Sequence, residues 1–413
     1  MTSATQGTQI VAWDEWRRYG INMPACVLGM MMVAMHGYSL GVMIGPLEAE
    51  FHWTRSQISA GPLITSIGTL LLAPVAGRAL DRYGPRRIAL IGVPAYCIAF
   101  ALIATAGPSI WSWLALFALL AFALILIFPT VWTAAVAIRF AKNRGLALAI
   151  ALSGTGITSA FVPYLASLLL EAHGWRGAYI GLALATFVIV FPLVIFTFDR
   201  DDTHRRLRES MPVQEQEATA LGLYLAPRYL MLAGAMLIYT LGSTGLAINA
   251  VPILVEEGFE LVDAAKIVGL IGIGTIIGRI VGGFLLDRMD GRLVAVGCGM
   301  AGIACAVILL LTDQSPQAAS LACLFLGLAA GAEYDACAYL CTRYFSRSHF
   351  GALFGLIGAL AGLGAGVSPM IANAIYDVTG TYETVLWCIV PIFLVASVLF
   401  LALGPYPPEE DKL

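Results

Sequence analysis

Twelve stretches of this 413-residue chain stay apolar for about eighteen residues or more: near 24–45, 58–76, 88–106, 112–136, 145–170, 177–198, 229–254, 264–286, 293–312, 317–341, 350–376 and 383–404. Only a helix satisfies every backbone donor and acceptor of such a run inside lipid. A β-barrel is excluded, because its strands alternate apolar and polar residues. Composition agrees: 59% of residues are hydrophobic and 12% charged, against roughly 25% charged in a soluble domain. The expected fold is an all-α membrane protein with twelve transmembrane helices. The first run follows WDEWRRYGINM with no small-residue cleavage site, so it reads as a retained span and not a signal peptide.

Several functions are excluded by what the polar residues lack. Net charge is −3 with no polybasic cluster, which argues against nucleic acid as a partner. The eight cysteines lie in or at the ends of apolar runs without metal-ligand spacing, so they read as packing residues. No HExxH or GxSxG motif is present, and neither an enzyme nor a cofactor is expected.

Nineteen of the 23 Lys and Arg residues fall in the tails and alternate loops, from Arg17 and Arg18 through Arg78, Arg82, Arg86 and Arg87 to Lys412. Arg55, Arg176 and Lys266 are the exceptions on the opposite side, and Arg279 lies inside a span. Short cytoplasmic loops carry the basic excess. Both termini are therefore expected in the cytoplasm, in a multi-pass protein of the cell inner membrane.

A shift of 206 residues lays Gly77, Asp81, Arg82 and Arg86 on Gly283, Asp287, Arg288 and Arg292, Pro163 on Pro369, and Gly174 on Gly380. Such a repeat predicts two pseudo-symmetric six-helix halves that rock about a central site. The expected organisation is a tail at 1–23, a first half at 24–198, a cytoplasmic linker at 199–228, a second half at 229–404 and a tail at 405–413.

The stretch GRALDRYGPRR (77–87) resembles the loop signature of the major facilitator superfamily. RFAKNRGLALAIALSGTGITSAFVP (139–163) and GAEYDACAYLCTRYFSRSHFGALFGL (331–356) resemble the bacterial monocarboxylate-porter branch that includes oxalate:formate antiporters. The resemblance implies a cytoplasmic gate built from Gly77, Asp81, Arg82, Gly84, Arg86, Asp287, Arg288 and Arg292. It also implies a small organic anion as substrate, carried with a proton or by exchange, by a monomer in the lipid bilayer.

Arg279 is the first candidate for the anion site, since a charge within an apolar span costs at least about 2.5–3.5 kcal/mol and must have a partner. Its guanidinium offers two parallel hydrogen bonds to a carboxylate. The position resembles the eighth-helix Arg that contacts substrate in the carboxylate-porter branch. The alternative is a standing ion pair with Glu333 or Asp335, two acids that point about 200° apart on their helix and are candidate proton carriers. His36, Tyr38, Tyr239, Asn249 and Tyr339 are candidates for the remaining substrate contacts, with Ser243 and Thr244 as weaker ones.

The chain departs from the resembled pattern in three places. Residues 348–411 contain no Lys or Arg, Thr275 stands where animal monocarboxylate porters have an Asp four residues before the Arg, and the first span has no Lys. A monoanion fits better than a dicarboxylate. The expected activity is proton-coupled uptake of a monocarboxylate, with proton-antiport export of an amphipathic drug or metabolite as the alternative.

Overall fold

The computed structural model describes residues 12–140, 143–198, 221–311, 314–346 and 349–407. Most of the expected linker, residues 199–220, and the chain ends lie outside them. Among the described residues the regular elements are helices: α1 Ala12–Tyr19, α2 Met23–Phe51, α3 Arg55–Leu102, α4 Ile110–Leu124, α5 Pro129–Ala137, α6 Arg144–Leu152 and α7 Gly154–Thr197 in the first half. After a single turn at Leu221–Tyr224 come α8 Pro227–Glu256, α9 Leu261–Leu286, α10 Gly291–Leu310, α11 Pro316–Tyr344, α12 Phe350–Thr379 and α13 Tyr382–Ala402.

Among the described residues, ten helical segments are long and apolar enough to cross a membrane. Two of them are hairpins. Straight, the 48 residues of α3 would span about 72 Å, over twice a bilayer core. Instead Gly84 takes φ 76°, and Trp53 Nε1 donates to Pro108 O at 3.0 Å, bringing the two ends together. In α7 the turn is Gly174, at φ 68°. Thr158 Oγ1 donates to Met31 O at 2.8 Å and Thr186 Oγ1 reaches Met35 Sδ at 3.4 Å, so both limbs lie against α2. Counted limb by limb, the passes are consistent with twelve.

The repeat is visible in the backbone. Gly380, 206 residues after Gly174, also has positive φ, at 74°. One sequence expectation changes: the charged stretch 77–87 is not a loop. The second pass stays helical through it as far as Gly84, because Arg78 and Arg82 are good helix formers and only a left-handed residue ends the run.

Large side chains such as Leu71, Phe196, Ile280 and Trp387 point outward, exposed, as suits a lipid-facing surface. The two halves meet along three glycine seams. A Cβ at Gly41 would strike the Ile248 carbonyl across α2 and α8, and one at Gly366 would strike Ser66 and the Pro62 carbonyl across α12 and α3. Gly156 and Gly272 bring α7 against α9 in the same way. Small residues allow backbones this close, which is what packs helices when lipid is as apolar as their side chains.

Candidate functional site

The basic-rich end of the bundle, with both described chain ends, is here called the tail face, and its opposite the far face. Arg279 sits between them on α9. Its depth follows from glycine packing: Gly274, Gly278 and Gly282 on α9 interlock with Gly327 and Gly331 on α11. A Cβ at Gly331 would stand 2.8 Å from the Arg279 amide nitrogen. The two backbones are in contact where Arg279 emerges, and one turn further along α11 is Asp335.

Arg279 Nη1 lies 3.8 Å from Asp335 Oδ1. That is within Coulomb range but beyond a hydrogen bond. The Arg279 side chain is 12% exposed, and its Nε and Nη1 are buried without a hydrogen-bond partner. A buried guanidinium left with unused donors is poised to accept an anion. Glu333 turns the other way, as its helical phase requires. It is 5% exposed and lies in the field of Tyr239, Cys298 and Cys337 inside the second half.

The other residues singled out in the sequence are divided among three places. His36 and Tyr38 stay near the centre, both half-buried. His36 Nε2 pairs with Thr65 Oγ1 at 3.3 Å while its Nδ1 has no partner, and Tyr38 lies beside Ser159 of α7. Tyr239 is fully buried edge-on to Phe393 at 5.2 Å, packed within the second half. Tyr339 lies against Gly291 at the tail-face start of α10.

Asn249 belongs to the far face. Its Oδ1 accepts from Asn373 Nδ2 at 2.8 Å, the same Nδ2 reaches Ser59 Oγ at 2.7 Å, and Tyr382 OH donates to Asn373 Oδ1 at 2.7 Å. Ser59 is in the first half and the rest are in the second, so this buried network ties the halves. Outside it, Asp377 caps α3 across the boundary, accepting from Arg55 N and Ser56 N at 3.0 Å each. The Arg55 guanidinium lies 3.9 Å from the Tyr376 ring and donates to Glu48 at 2.9 Å. Sequence analysis missed Asn373 and Asp377. Asn373 was detectable as an amide within an apolar run, which must find a partner.

At the tail face Arg82, Arg86, Arg288 and Arg292 of the expected gate touch residues of their own half. Arg86 Nη2 donates to Ile195 O at 3.4 Å. Arg82 stands over the neighbouring Tyr83 and Arg288 over Phe284, and Arg292 grips Asp290. The glycine stripe of α12 that meets α3 at Gly366 runs on through Gly362, Gly355 and Gly351 into open space. Among the described residues, the bonds of Asn373 and Asp377 that cross between the halves lie at the far face, and the α12 glycines toward the tail face have open space beside them.

Two six-pass halves joined along a seam, shut at one end around a buried cationic side chain, define a membrane carrier of the two-domain type. The sequence profile described as Major Facilitator Superfamily matches residues 26–342, and the chain belongs to that family. Human monocarboxylate transporter 12 is 25% identical over 274 residues, which are 59% of this chain and 53% of the relative. The gallate transporter of Pseudomonas putida is 23% identical over 316 residues, 67% of this chain and 68% of the relative. The chain thus spans about half to two thirds of these curated relatives. The crystal structure of nucleoside transporter NupG superposes with TM-score 0.73 at 13% identity, over 94% of this chain and 100% of that one, which shows the shared fold.

Proposed function

We propose that the protein is a secondary active transporter of a small organic monoanion, a monocarboxylate, with Arg279 holding the carboxylate between the halves. The observation that carries this reading is the buried Arg279 guanidinium, which has no acceptor for Nε and Nη1. Asp335 at 3.8 Å is its counter-ion. A carboxylate that takes the guanidinium releases Asp335, which then accepts a proton, so anion and proton move together. Glu333 faces away and is assigned to packing. His36 with Thr65, and Tyr38, form the opposing wall in the first half.

The names of the relatives support a carboxylate, and the lack of Lys and Arg in residues 348–411 supports a monoanion. The basic loops at the tail face support a cytoplasmic position for that face, the open space beside the α12 glycines there supports an inward-open conformation, and uptake is the direction we assign. Halves at 24–198 and 229–404 act as the rocking units. One chain supplies both walls of the cavity and works as a monomer, with Asp81, Arg82, Asp287 and Arg288 latching the tail face once it closes.

Proteoliposome uptake of benzoate and lactate tests the reading. Arg279→Lys keeps the charge but not the fork, and uptake is expected to fall at least about tenfold. Asp335→Asn is expected to keep substrate exchange while losing accumulation driven by a pH gradient. Normal uptake by Arg279→Lys removes the carboxylate site, and pH-driven accumulation by Asp335→Asn removes the coupling assignment.

A further inference from the structure

The tail face of the second half carries a cationic, aromatic cluster. Arg228 precedes the membrane-crossing part of α8, Arg292 begins α10 and Arg343 ends α11. The rings of Tyr344 and Tyr406 adjoin at 5.4 Å. Arg343 lies 4.7 Å and Arg292 5.6 Å from the Tyr406 ring, while Arg228 lies 5.7 Å from that of Tyr344.

One acid serves this cluster, and it is already committed. Asp290 accepts from Arg292 Nε at 3.1 and 3.0 Å and from Tyr406 OH at 2.7 Å. These bonds, Arg292 foremost, hold its carboxyl down at about 2. Arg228 and Arg343 are left without an acidic partner among the described residues, and Arg343 Nε is buried with no hydrogen bond. Leu225 and Leu230, close in sequence to Arg228, and Leu293, next to Arg292, are exposed.

We infer that Arg228 and Arg343, backed by the Tyr344 and Tyr406 rings, form a binding site for the phosphate headgroup of an anionic phospholipid whose acyl chains lie along the Leu225, Leu230 and Leu293 surface. Two adjacent cationic side chains attract a headgroup phosphate by charge, and basic pockets at the cytoplasmic headgroup level collect anionic lipid. The rings add a rigid floor that keeps the arginines extended.

Native mass spectrometry of the full-length protein, released from nanodiscs of phosphatidylglycerol in phosphatidylcholine, tests the site. Retained phosphatidylglycerol is expected on the wild type and on the Arg228→Lys/Arg343→Lys double variant. Affinity for it is expected to fall roughly thirtyfold in Arg228→Gln/Arg343→Gln, and to hold in Arg87→Gln/Arg144→Gln, where exposed tail-face charges are removed from the first half. Undiminished retention in the Gln double variant overturns the proposal. So does displacement of the lipid by inorganic phosphate, which makes this a free-anion site. The readout is independent of transport, so failure here leaves the Arg279 reading untouched.

Discussion

The two ends of the bundle are built on different principles. At the far face, polar groups from opposite halves bond to one another: Asn373 to Ser59, and Asp377 to the start of α3. At the tail face charged side chains are more numerous, and Arg292 and Arg86 bond within their own half, to Asp290 and to the Ile195 carbonyl. Charge density therefore does not locate the closed end. A gate is closed where its bonds cross the boundary.

The contrast can be broken most severely at the glycine seam. Gly366→Leu forces a side chain into Ser66 and the Pro62 carbonyl, an overpacking worth about 1–3 kcal/mol. Spin labels on exposed far-face positions of α3 and α12 are expected to move apart, with loss of uptake. An unchanged label distance means that this seam does not hold the far face shut.

Asp377→Asn is the milder version. It keeps the shape but removes the charge at the α3 N-terminus, an effect of about 1 kcal/mol, so the population with an open far face should rise roughly fivefold. The same labels report it. Asp287→Asn at the tail face, tested alongside, should leave that distance unaltered.

A pH series sharpens the comparison further. Glu257, just past α8 on the far face, is pushed up to about 7 by burial and then by Glu256 beside it. Glu256 itself accepts from the Tyr382 amide and the Thr381 hydroxyl. With its folded pKa above the ordinary value, the stability Glu257 contributes is complete below about pH 4.5 and is lost as pH rises through about 7. Far-face opening should grow over that window, and Glu257→Gln should flatten the profile.

The smallest effect belongs to Asp290, which is held at about 2 by Arg292. Its folded pKa is lowered, so its contribution is complete above about pH 3.8 and disappears only as pH falls through about 2. Asp290→Asn should lower the thermal midpoint slightly at neutral pH without moving the far-face labels. A shift in those labels would mean that the two ends are coupled through this loop.

Legibility followed the range of the interaction. The positions of the passes and the turns at Gly174 and Gly380 lay open to hydropathy and a 206-residue shift, since each depends on residues within one or two turns. Arg279 was legible because a charge in an apolar run stands out whatever surrounds it. That Glu333 and Asp335 diverge also followed from helical phase. Asn249 was misplaced among the substrate contacts because its bonding partners come from other passes, with Asn373 at 124 residues' remove and no periodicity to link them.

By itself the sequence determined that this chain crosses a membrane many times, repeats itself, and carries one buried cation in its eighth span. Solvation and backbone satisfaction enforce these locally. Which acid faces Arg279, which end of the bundle is shut, and where Asn249 and Tyr239 point were decided by the tertiary structure. Those outcomes turn on how glycine seams set the rotation and depth of each helix against its neighbours, and that contact geometry exists only once the helices have packed.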